Sequence, residues 1–123
     1  VEGDLAYLHD RGAIFPVTDV AAEQSRAAAF EISPSGPMPG YRMSWPSGAA
    51  LAIEQEVLRE FELTPETFAG TDDRDIRDKA EGERRPLRVR PSEVSCSGGV
   101  DEHGAHLTLA FTLPAGCFAT TLL

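Results

Sequence analysis

Residues 107–123 read LTLAFTLPAGCFATTLL, and the architecture expected of the whole chain follows from this stretch. Leu107, Leu109, Phe111 and Leu113 recur at every second position, with Thr108, Ala110 and Thr112 between them. A period of two places the first set on one face of a strand and the second on the other, so a half-buried strand is predicted. Pro114 has no N–H to offer a ladder, and Gly116 can turn the chain. Phe118 to Leu123 then resumes as a short apolar segment that closes without a polar cap. Chain ends are ordinarily polar and frayed. This one is expected to be cut inside an element, and Val1 in place of an initiator Met points the same way.

Working outward, Gly98-Gly99 and Asp101-Glu102-His103-Gly104 are turn formers. Before them a strand is predicted from Arg84, with Leu87 and Val89 on one face and Arg88 and Arg90 on the other, continued by Val94 after Pro91. The two strands form an antiparallel hairpin. Val1 to Val17 reads as another hairpin, turned at Asp10-Arg11-Gly12. Thr18 or Asp19 caps an Ala-rich helix running to about Phe30. Ile32 to Ser47 holds Pro34, Gly36, Pro37, Pro39, Gly40 and Pro46, and is expected to be loop. Ser47 or Gly48 starts a helix with Ala50, Ile53, Val57, Leu58 and Phe61 on one apolar face and Glu54, Gln55, Glu56, Arg59 and Glu60 on the rest. Thr64-Pro65-Glu66 signals a short third helix, and residues 71–83 read as a charged loop. The order is that of an α+β protein with mixed or antiparallel strands and two or three helices.

With 123 residues, 41% of them hydrophobic and 25% charged, the chain suits a globular fold. No run reaches the roughly 18 apolar residues of a membrane span. Two cysteines, Cys96 and Cys117, are too few for a disulfide framework, and free thiols in a reducing, cytoplasmic compartment are expected. The net charge of −9 argues against nucleic-acid binding by the chain as a whole. One basic stretch interrupts it: residues 74–90 hold 7 bases and 4 acids, and ten of the eleven bases in the chain are Arg. Arg offers planar, bidentate contacts to phosphate.

Four motifs then stand in one order. Phe111-x-Leu113-Pro114-x-Gly116-x-Phe118-Ala119-Thr120-x-x-Leu123 resembles the C-terminal signature of the TruD family of tRNA pseudouridine synthases. Gly82-Glu83-Arg84-Arg85-Pro86-Leu87 is similar to that family's G-x-RR-x-L. Ser35-Gly36-Pro37-Met38-Pro39-Gly40 is similar to its SGP-(L/M)-x-G loop, and Ala50-x-x-x-Glu54 to the helix after it. The resemblance implies a partial TruD pseudouridine-synthase fold. Val1 to Glu83 would be the later part of the TRUD insertion domain, and Arg84 to Leu123 the terminal strands of the catalytic domain. It implies isomerisation of uridine 13 of tRNA, with no metal and no organic cofactor, by a monomer whose catalytic Asp lies upstream of Val1. The fragment alone would be inactive and would associate with the missing N-terminal part.

Each candidate residue has a plainer alternative. Arg84 and Arg85, adjacent on a strand, point to opposite faces, so at most one lines a given cleft. One can hold an RNA phosphate or a carboxylate; the alternative is an interdomain ion pair or solvated loop arginines. Phe118 and Thr120 can line the pocket of a flipped uracil; the alternative is core packing. Gly70-Thr71-Asp72-Asp73-Arg74 is similar to the family's GTKDR motif, but it lacks the Lys and falls too late in the order, so it reads as a solvated charge run. Cys96, His103, His106 and Cys117 fit no common zinc spacing. Tyr41, Arg42 and Trp45 can make an aromatic, basic platform, or simply pack as a rigid connector. The alternative to an enzyme is a non-catalytic acidic interaction module with an Arg-rich RNA-contact strip.

Overall fold

The computed structural model describes residues 1–69 and 81–122. The segment TDDRDIRDK, read as a charged loop, and the GTDDR motif lie outside the described residues. Two compact units are present, residues 1–87 and 88–123.

In the first unit, β1 (Leu5–Leu8) and β2 (Ala13–Pro16) form the expected hairpin, with Tyr7 opposite Ile14. Helix α1 (Val20–Ala28) starts at Asp19, whose carboxylate accepts from the amides of Ala21 and Ala22 at 3.0 and 3.1 Å. Those are orphan donors of the first turn, so the cap stabilises the helix by about 1 kcal/mol. The core on this side gathers Ala6, Val17 and Ile32, with Leu8, Phe15 and Ala27 packed against it.

The stretch expected to be loop contains a strand, β3 (Ile32–Met38), at an inner position of the sheet. It pairs with β1 through Ile32 to Pro34, and with β4 (Glu83–Pro86) through Ser35 to Met38. Its two prolines survive because each side of the strand is only half used. The Pro34 carbonyl accepts from the Leu87 amide at 2.9 Å, so its missing N–H also faces β4 and costs no bond to β1. Pro37 faces the other way, beyond the last pair with β1. The strand order is β2-β1-β3-β4, all neighbours antiparallel.

Helix α2 (Gly48–Glu60) follows, with Ser47 before it, and then α3 (Pro65–Ala69). In α3 the Glu66 carboxyl is held below the usual carboxylate range by a hydrogen bond to backbone and by the Thr64 side chain. The apolar face predicted for α2 is only partly the buried one. Ala50 and Leu58 are buried, but Ile53 is 59% exposed and Phe61 69%. The helix is turned so that Glu54, one turn from each buried residue, faces inward instead.

The second unit holds β5 (Ser92–Asp101) and β6 (Gly104–Thr112), paired from Asp101 opposite Gly104 to Ser92 opposite Thr112. Gly98-Gly99 lies within β5 rather than in the turn. The strand predicted from Arg84 is two strands: β4 ends at Pro86 and pairs with β3, and only β5 pairs with β6. A single 3-10 turn at Ala119–Thr121 follows. No described helix is long and apolar enough to cross a membrane.

Candidate functional site

The motif segments 35–40 and 82–87 are two strands of one ladder. Ser35 lies opposite Pro86, Gly36 opposite Arg85, Pro37 opposite Arg84 and Met38 opposite Glu83. Each end is closed by a glycine. Gly82 has φ of 77°, and a Cβ there would lie 2.6 Å from the backbone of Gly40. Only a residue without a side chain allows that approach. At the other end the Leu87 side chain lies across Gly36, 2.6 Å from where a Cβ would sit.

The third motif segment enters through Arg84. Its side chain has no exposed surface. Nε donates to Ser35 Oγ at 2.8 Å, and Nη2 donates to the Ser35 carbonyl at 2.8 Å and to Glu54 Oε1 at 2.5 Å. Nη1 donates to Glu54 Oε2 at 3.1 Å and to the Ser44 carbonyl at 3.3 Å. These are all five N–H donors of a guanidinium. Ser35 Oγ in turn donates to the Leu5 carbonyl, which carries the network to β1. The fork-to-fork pairing with Glu54 and the filling of all five donors offset the cost of taking the guanidinium out of water. It also explains the turned α2: a carboxylate on the inward side is required to neutralise Arg84.

The Arg84 expected to face RNA therefore sits inside the frame. The alternation expected of the pair is present, since Arg85 is exposed on the opposite face. Its Nε donates to Glu83 Oε1 at 2.5 Å, with both side chains more than half exposed. Phe118 and Thr120 belong to the second unit. Phe118, 71% exposed, precedes the 3-10 turn and accepts the Thr121 hydroxyl at its carbonyl, 2.6 Å away. Among the described residues, Phe118 is not buried in a core. Thr120 is exposed in the same turn. In the loop after β3, Arg42 lies over the Tyr41 ring at 5.6 Å, and its guanidinium is 3.1 Å from Glu81. That pair is tied into the motif ladder by the Arg42 amide, which donates to the Glu81 carbonyl at 2.8 Å.

Glu54 is the member whose role the sequence reading missed, although the motif contains it. Period-based assignment put it on the solvent side. Its spacing of four from both Ala50 and Leu58 was the available signal.

The second unit's hairpin is amphipathic. Cys96, Gly98 and Val100 share one face with Leu109, Leu107 and Ala105; Ser95, Ser97 and Asp101 share the other with Ala110, Thr108 and Gly104. On the apolar face Val100 and Leu107 are largely exposed.

Comparison with known proteins places these features in a family. The family described as tRNA pseudouridine synthase D (TruD) matches residues 1–123. A protein of Geotalea daltonii named tRNA pseudouridine synthase D is 51% identical over 123 residues, all of this chain and 29% of its own. One of the same name from Thermus thermophilus is 39% identical, again over all of this chain and 31% of its own. A solved structure of a Methanosarcina mazei protein described as TruD superposes with a TM-score of 0.77 at 27% identity, covering 98% of this chain and 30% of that one. The chain thus spans about three-tenths of the length of the relatives it matches.

Proposed function

The chain belongs to the TruD family of tRNA pseudouridine synthases, and from that premise we propose that the protein containing it isomerises uridine 13 of tRNA to pseudouridine in the cytoplasm. The uracil is detached from C1′, turned and rejoined through carbon 5. The aspartate that does this chemistry comes from outside residues 1–123. Within them, residues 1–83 supply the later part of the insertion domain that grips RNA, and residues 84–123 supply the end of the catalytic sheet.

What supports the reading is the exposed Phe118 ring inside the motif shared with the family. A base cannot be isomerised while stacked in its helix. It must be extruded, and an aromatic face replaces the lost stacking. Phe118 offers that face, and Thr120 offers a hydroxyl beside it. The uncovered apolar face of β5 and β6 fits a catalytic domain completed from outside residues 1–123, because a layer packed over it would bury Val100 and Leu107. The acidic interaction module gains no specific support from this geometry.

The test is pseudouridine formation on a tRNA transcript by the full-length protein. Wild type should convert the uridine, and Phe118→Ala should lower kcat roughly 5- to 100-fold, the range of one lost base–aromatic stack. A wild-type protein that binds the transcript but forms no pseudouridine would end the proposal.

A further inference from the structure

Two adjacent arginines raise the question of which one meets RNA, and the geometry separates them. All five donors of Arg84 are held by Ser35, Ser44 and Glu54, and its side chain is inaccessible. Freeing it would leave Glu54, 13% exposed, as an unpaired and nearly buried charge. Arg85 sits on the other face of an edge strand, opposite a glycine. Its own ionic contact is with Glu83, a neighbour 57% exposed. Such a surface pair is weak in water and can be exchanged for another anion. Met38 shares this face of the ladder and is half exposed, and Leu87, 67% exposed, lies across Gly36 beside it. The result is an accessible guanidinium between two apolar side chains on an open strand edge.

We infer that Arg85, and not Arg84, makes a backbone phosphate contact to the tRNA, with Met38 and Leu87 against the adjoining ribose. The guanidinium fork matches two phosphate oxygens. The apolar neighbours suit the sugar edge and reduce competition from water. Arg84 contributes only by holding β4 in register, so that its neighbour is presented outward; a slip of one residue would exchange their faces. This rests on the tRNA reading above.

The experiment measures affinity of the full-length protein for a tRNA transcript across a salt series. Each phosphate contact to a single-stranded or duplex region contributes about 0.7–0.9 to the slope of log K against log salt. Arg85→Gln should lower the slope by about that amount while leaving the thermal midpoint unchanged. Arg84→Lys should lower the thermal midpoint and keep the wild-type slope. Should Arg84→Lys not accumulate, the apolar pair Arg84→Met with Glu54→Leu makes the same comparison without a stranded charge. A wild-type slope in Arg85→Gln, or a reduced slope in either Arg84 variant, would overturn the inference. Wild-type binding without pseudouridine formation would remove the catalytic proposal alone, and absence of any tRNA binding would remove both.

Discussion

The two units differ in how far their side chains are covered. In residues 1–87, four strands and a buried guanidinium gather around partners the chain itself provides, and even a full positive charge is completely bonded. In residues 88–123, two strands pair correctly but leave an apolar face open. A lone two-stranded hairpin is marginal in water. The contrast shows that a regular ladder is not by itself a fold: what differs is whether side chains on the ladder's faces find cover.

The largest effect expected from this contrast is in amide exchange. In a peptide of residues 88–123, the β5 and β6 amides should exchange with almost no protection. In the full-length protein they should be slowed by opening energies on the order of several kcal/mol, as for core strands. A well-protected isolated hairpin would break the comparison.

Next in size is the clamp. Arg84→Met leaves Glu54 buried without a partner and should cost about 3–5 kcal/mol, read as faster exchange of β3 and β4 amides in the full-length protein. Adding Glu54→Leu should return most of that, since an apolar pair can replace a buried ion pair. If the double variant stays as unstable as the single one, the network matters beyond its charge balance.

Smaller still is the pair of glycine positions. Gly82→Ala combines a positive φ with a Cβ placed 2.6 Å from Gly40 backbone, and should cost about 2 kcal/mol by thermal unfolding. Gly36→Ala meets only the end of the Leu87 side chain, which can swing aside, and should cost about half as much. Equal losses would mean that Leu87 is fixed more firmly than its exposure suggests.

Much of this is legible in the sequence. Alternation gives the first hairpin and the strand β6, Asp19 announces a cap, and Arg84 and Arg85 diverge because successive strand residues face opposite ways. The loop reading of residues 32–47 failed at β3, since proline counts as a strand breaker only where its missing amide has a partner to disappoint. The chosen face of α2 failed because periodicity weighs Glu54 as solvent-seeking, and a distant guanidinium reversed that preference.

Local patterns and motif order therefore determined the helices, the first hairpin, β6 and the family, because these depend on steric and polar properties within a few residues. Tertiary structure alone decided that segments 35–40 and 82–87 lie side by side, that Glu54 turns inward, and which of two identical neighbours is buried. Those outcomes rest on contacts between residues 30 and 49 positions apart, and such pairings leave no periodic mark in the chain because only the folded backbone brings the partners within hydrogen-bonding reach.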